Sequence, residues 1–422
     1  MTTQEATDWL QEARPRLRED VRIGPLVTKG PTGVHLVGDR RTGAFVKVGP
    51  REAFLMGRLD GHRSLAQIGD AYAAEFGKRL AVQHWRQLLG MLASRGLIEP
   101  ADPARLDEVR ERAEAARRAE GRSPLLWRLP VRGAAELVPG AARRLGWLLH
   151  PFAVAPLGLA GALVALVTLL HWSQLYGALS NAPGRWSATA VAFALTWLTI
   201  AAHEFGHGVA CHRYGGRPTQ IGVMWRFPLI APYCKVDDVV TFPRRAHRVM
   251  TAFAGIYVNL LALLPSAALW WWGPDGGWWH GLAGGLLVLG TATTVGNLVP
   301  FLKLDGYHML EHATSTMHLQ SESFRYAGAV LRGRTFAPEG YPPRARWIFT
   351  GYVLLTVAVL GPALVLLVRM WFVTLAGVWG AVGAALFLLA EAVVVAVFLR
   401  WALVWRKVDR DGKSGQPEKK ES

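Results

Sequence analysis

Residues 202–207 bring His203 and His207 four positions apart, with Glu204 directly after the first. On a helix such a pair shares one face, so both imidazoles can reach a single metal ion. A glutamate beside them can take a proton from an attacking water, which is the chemistry of metal-assisted hydrolysis. Histidine and glutamate also occur on ordinary solvated helices, but the location here is different. Residues 188–200 run into the motif without a single charge. The helix that carries the motif therefore reads as a membrane span. Ionisable groups at the end of such a span are costly in lipid and by default mark function.

A catalytic metal is held by three protein ligands and keeps one position open. Asp305 offers the third, in the stretch Asn297-Leu298-Val299-Pro300-Phe301-Leu302-Lys303-Leu304-Asp305-Gly306 that closes a later apolar run. Cys211, one turn past His207, is the weaker candidate because it lies beyond the span. Leu59-Asp60-Gly61 repeats the Leu-Asp-Gly triplet. It has neither the preceding Asn and Pro nor an apolar span, and reads as a turn.

The surrounding elements follow from composition and charge. The chain has 422 residues, 51% hydrophobic and 18% charged, with 18 Trp and a net charge of +16; its mean hydropathy is +0.19. This is more apolar than an ordinary soluble domain, and Trp gathers at membrane interfaces. Six spans of bilayer length can be drawn, near 152–172, 187–210, 249–272, 279–301, 346–368 and 373–400. Arginines and lysines crowd the loops after the second and fourth spans and the segment after the sixth. The positive-inside rule then places both termini in the cytosol of a multi-pass cell-membrane protein. Spans two and four both run inward, so Asp305 arrives at the same face as His203 and His207. Glu391 falls inside span six as an unassigned charge, and Arg369 can snorkel from the outer turn. Two cysteines, Cys211 and Cys234, imply no disulfide framework. The polar start of the chain is expected to hold no secretory signal.

Ahead of the spans, residues 1–20 are expected to be a charged, frayed tail. Residues 21–100 read as a soluble domain. Strand-like runs at 34–37 and 44–48 flank a turn. Three helices follow, near 51–59, from Ser64-Leu65-Ala66-Gln67 with its capping-box pattern, and over 82–94. Residues 101–150 are expected to be a charged linker, 151–405 the membrane domain and 406–422 a charged tail. The fold class is thus a polytopic α-helical membrane protein of about six transmembrane helices, preceded by an α+β winged-helix-like soluble domain. A DNA-binding winged helix is disfavoured, because the helix 82–94 carries Arg86 as its one formal charge.

The two membrane motifs resemble the site-2 protease family of intramembrane zinc metallopeptidases, with His203, Glu204 and His207 on one span and Asn297, Pro300, Leu304, Asp305 and Gly306 on a later one. The likeness covers about 187–310, a three-helix core. Ala254-Gly255-Ile256-Tyr257-Val258-Asn259 is a weaker match, with Ile256 where the family usually has proline. The resemblance implies Zn2+ on His203, His207 and Asp305, Glu204 as general base, and Asn297 with Asn259 as substrate-binding groups. Residues 45–48, 59–68 and 88–99 resemble the PqqD-like leader-peptide recognition domain. That pairing implies a daptide-type maturation protease that removes the leader from a ribosomally made precursor peptide bound through residues 21–100, with the lipid bilayer as its other partner and no nucleic acid. Two alternatives stand beside it: a regulatory site-2 protease that cleaves a membrane-bound regulator, and a membrane-tethered winged-helix regulator with a relict metal site. Between His207 and the third span, the β-rich residues 219–236 imply a short sheet beside the site. It would serve either as a strand edge for substrate or as an ordered cover.

Overall fold

The computed structural model describes residues 3–414 apart from 121, 124–125, 227–228, 275 and 334–339. The N-terminal part holds α1 (Thr3–Glu12), β1 (Arg16–Leu17), β2 (Val21–Ile23), β3 (Val27–Lys29), β4 (Thr32–Asp39), β5 (Phe45–Val48), α2 (Pro50–Met56), α3 (Leu65–Phe76), α4 (Val82–Ser94) and β6 (Ile98–Glu99). The capping box forms as expected: Ser64 Oγ accepts from the Gln67 N–H, and the Gln67 side chain accepts from the Ser64 N–H. Ile68 and Tyr72 of α3 and Trp85, Leu88 and Leu92 of α4 bury their helical stripes in one core with Val37, Val48 and Met56.

β4 pairs antiparallel with β2, β3 and β5, with register partners Val37–Ile23, Val34–Val27 and Val37–Val46. Of the segment 1–20, expected to be frayed, the described residues form α1 and β1. Trp9 and Leu10 of α1 pack on the core, and β1 pairs with β6. An amphipathic start with a tryptophan on its apolar side outweighs the charge of the segment.

The expected linker is also more than a linker. It contains α5 (Pro103–Glu120), β7 (Arg122–Ser123), β8 (Leu126–Pro130) and α6 (Leu137–Leu145). β8 pairs with β9 (Gln220–Arg226), which pairs with β10 (Leu229–Lys235), giving a sheet in the order β10-β9-β8-β7.

Among the described residues, five helices are long and apolar enough to cross a membrane: α7 (Pro151–Leu170), α9 (Arg185–Arg213), α10 (Arg245–Trp272), α11 (Gly277–Leu298) and the 52 residues Pro343–Val394. Between them come α8 (Trp172–Asn181), α12 (Asp305–Thr314) and α13 (Leu319–Leu331). Six spans were expected. The last two are the two helices that meet at a kink at Gly380, with φ 72° and ψ 166°, inside the stretch labelled α14 (Pro343–Ser414); the break between them lies later than expected. The expected break at 369–372 contains neither Gly nor Pro, so nothing there stops a helix, whereas Gly380 adopts positive φ at no steric cost. Residues 350–422, which include most of α14, form a compact unit of their own.

The membrane helices α7, α9, α10 and α11 approach closely where glycines face a neighbour. A Cβ at Gly161 would lie 2.6 Å from the Leu260 carbonyl oxygen, and one at Gly206 would lie 2.8 Å from Val258 Cγ2. Small residues at such crossings are how apolar helices gain packing contact in lipid.

Candidate metal centre

α9 brings His203 and His207 to one face, both buried, and α12 begins with Asp305 opposite them. His203 Nε2 lies 2.8 Å from Asp305 Oδ2, and His207 Nε2 lies 3.3 Å from Asp305 Oδ1. The two Nε2 atoms are 3.3 Å apart. A tetrahedral ion with bonds of about 2.0–2.1 Å to nitrogen needs ligand atoms roughly 3.3–3.4 Å apart, so the imidazole spacing fits. These three residues can hold a metal ion, their ligand atoms all lying within 4.8 Å of one another.

The tautomer of His207 follows from its second nitrogen. Nδ1 is 2.8 Å from the Thr251 carbonyl oxygen and donates its hydrogen there. Nε2 therefore keeps its lone pair for the site, the outer-sphere arrangement common around metal-bound histidine. Gly255, one turn after Thr251 on α10, makes room for the imidazoles. A Cβ built there would fall 2.4 Å from His203 Nε2 and 2.5 Å from His207 Nε2. The cradle exists because that position has no side chain.

The Leu-Asp-Gly triplet at 304–306 is explained by crowding of another kind. A Cβ on Gly306 would lie 2.2 Å from the Leu298 carbonyl oxygen and 3.0 Å from that of Asn297. The chain leaves α11, turns through Pro300 and folds back against that helix's end, which sets Asp305 at the first turn of α12. Burial pushes the Asp305 carboxyl upward, but the facing imidazoles outweigh it and hold the group well below the usual carboxylate range. Asp60, in the other triplet, accepts from the N–H groups of Arg63 and His62 and from Arg63 Nε, at 2.9–3.0 Å. It is a turn residue ahead of α3, as read from the sequence.

Glu204 sits next to the ligands and accepts from the Cys234 N–H at 2.8 Å. One carboxylate oxygen is thus fixed by the backbone of β10. The sheet expected beside the site is present, and its placement settles which way its edge points. Opposite β9, the outward positions of β10 are Ile230, Pro232 and Cys234. The Ile230 carbonyl accepts from Trp197 Nε1 at 3.3 Å, Pro232 has no N–H, and Cys234 holds Glu204. That edge faces α9, so a peptide could pair with it only by displacing Trp197 and Glu204. From Trp197 to Glu204 the hairpin follows α9 for about 10 Å at 1.5 Å per residue.

The remaining sequence candidates fall as follows. Asn259 lies one turn beyond Gly255, 1% exposed, and neither end of its amide has a partner among the described residues. Buried amides are almost always paired, which sets this one apart among the polar groups of α10. Asn297 is half-buried on the last turn of α11, its carbonyl beside Gly306. Cys211 packs with Val239 and Phe242 in a small apolar cluster and is not a ligand. Burial pushes the Cys234 thiol up to about 12, and the Glu204 charge adds to this, so it stays protonated.

Three contributors were missed from sequence. Gly255 lay within a motif that had drawn attention to its asparagine instead. The Thr251 carbonyl and the Cys234 amide are backbone groups, for which side-chain identity carries no signal.

No protein-family model matches the chain, and no curated protein or solved structure does either.

Proposed function

We propose that the chain is an intramembrane zinc metalloprotease that removes the leader from a ribosomally made precursor peptide. The observation that carries the hydrolase reading is the convergence of His203, His207 and Asp305 from two different elements, with Glu204 beside them. Two imidazoles and one carboxylate favour zinc among the common divalent ions. When bound, zinc supplies Lewis acidity toward water and toward the scissile carbonyl. The chain's residues do the rest. Glu204, anchored through one oxygen by Cys234, uses the other to take the water's proton and deliver it to the leaving amine. Asn259 and Asn297 donate amide hydrogens to the substrate carbonyl as negative charge builds on it. The arginine-rich loops after α9 and after α11 argue for this end of the helices being cytosolic, with both termini there.

Support for the peptide-recognition role comes from the N-terminal sheet. Phe45 and Lys47 turn their backbone groups to the outer side of β5, away from β4, leaving an edge that an extended peptide can join. The exposed side of α4 has Arg86 as its one formal charge, a poor surface for phosphates.

The reading is tested with Glu204→Gln. Co-expression with a candidate precursor, read by mass spectrometry, is expected to show cleavage by the wild type and none by the variant. Elemental analysis of the purified variant is expected to find zinc undiminished. Near-normal cleavage by Glu204→Gln would overturn the mechanism. Cleavage confined to a membrane-bound regulator would replace the precursor with the regulatory substrate. Salt-sensitive binding of duplex DNA would favour the regulator reading.

A further inference from the structure

The N-terminal sheet rests on the two segments that orient Glu204 and Asp305. The first segment is residues 237–241, a short 3-10 turn directly after β10. Arg40, in the β4–β5 turn, pairs with Asp238 at 3.7 Å and donates to the Gly215 carbonyl. Both side chains of that pair are mostly buried, at 22% and 13% exposure, so solvent screens it less than a surface pair. Close approach is secured by glycines: a Cβ on Gly24 would lie 2.8 Å from the Val240 carbonyl oxygen, and one on Gly38 would lie 3.1 Å from Thr241 Cγ2. Four residues before Asp238 stands Cys234, whose N–H holds Glu204.

The second segment joins α12 to α13. Thr28 of β3 donates its N–H to the Ser315 carbonyl at 2.9 Å, and its own carbonyl accepts from the Met317 N–H at 2.9 Å. This is a parallel bridge between the sheet and residue 316. It is anchored from the other side by Arg248, which donates to Ser315 Oγ. α12 carries this contact back to its first residue, Asp305.

We infer that the N-terminal domain is a positioning device for the metal centre, with Arg40 and Thr28 as its positioning residues. Arg40 steadies the strand that anchors Glu204, and Thr28 steadies the helix that presents Asp305. The inference rests on the metal-centre reading. It goes beyond peptide capture, because the domain acts here through fixed contacts and not through tethering alone.

The two arms have separable signatures in the full-length protein. Arg40→Glu is expected to raise hydrogen exchange over residues 229–241 roughly tenfold while zinc content holds, and Arg40→Lys to restore protection. Thr28→Pro removes an N–H that faces away from β4, a change an edge strand tolerates. It is expected to leave exchange in α3 and α4 unchanged and to speed loss of bound zinc to a chelator at least several-fold. Unchanged exchange in Arg40→Glu, together with an unchanged chelation rate in Thr28→Pro, would overturn the inference. So would equal loosening of α3 and α4, which would mark a general folding defect. Should the wild type bind no zinc, the metal reading fails on its own account, and the exchange arm still decides the coupling to β10.

Discussion

At the scale of single residues, the centre depends as much on an absent side chain as on those present. Gly255→Ala would drive a methyl into the Nε2 atoms of both His203 and His207. The imidazoles are held by helix α9 and by the Thr251 carbonyl, so they cannot both retreat. We expect this variant to lose zinc affinity by at least the 10–100-fold typical of disturbed outer-sphere partners, as measured by competition with a chromophoric chelator. Asp305→Ala removes the proposed third ligand and is expected to lose still more. Asp60→Ala in the matching triplet should bind zinc as the wild type does. Equal zinc affinity in wild type and Asp305→Ala would mean that the third ligand lies elsewhere.

At the scale of elements, α12 and α4 give contrasting tests. His312, in the last turn of α12, is half-buried, and loss of solvation lowers it from 6.5 to about 4. The sign follows directly. Its folded value lies below its unfolded one, so the unfolded chain binds the extra proton first. The stabilising contribution is complete above 6.5 and is lost as the pH falls from there toward 4, by roughly 3 kcal/mol at most. Thermal midpoints measured down that range should fall more steeply for wild type than for His312→Gln; parallel curves would rule out His312 as the sensor. On α4, Gly90 faces open space within 4 Å of where a Cβ would stand. Gly90→Ala should therefore stabilise by about 0.4–1 kcal/mol, because it restricts the unfolded chain and strains nothing in the folded one. Slower amide exchange across α4 is the readout. Faster exchange would mean that the helix face is already committed to another contact.

At the scale of the whole molecule, sheet edges divide the work. In the N-terminal sheet, β3 is joined to the α12–α13 connection, while the outer side of β5 has no backbone partner among the described residues. Near the metal centre, the edge of β10 is turned to α9. Substrate pairing is therefore expected first at β5. Lys47→Pro removes an outward N–H without touching the bonds that Val46 and Val48 make to β4. It should raise KM for full-length precursor roughly tenfold, the effect of about 1.4 kcal/mol, and leave a short peptide spanning the cleavage point unaffected. Equal effects on both substrates would remove the leader-recognition role.

The sequence by itself determined the elements whose causes are local or periodic. The spacing of His203 and His207 requires only a helix, and the apolar runs around them require only a count of residues. Ser64 and Gln67 specify their cap within four positions, and α4 has the boundaries its pattern gives. Asp305 was legible because Asn297, Pro300 and Gly306 stand at fixed offsets from it. Tertiary structure alone decided what depends on long-range approach. The Cys234 amide on Glu204, the Thr251 carbonyl on His207 and the Thr28 bridge to Ser315 and Met317 are backbone contacts, and every residue type offers the same carbonyl. The break at Gly380, in place of an earlier one, belongs with them. Many glycines in the chain are compatible with a helix, and which of them turns to positive φ is set by how the chain around it packs.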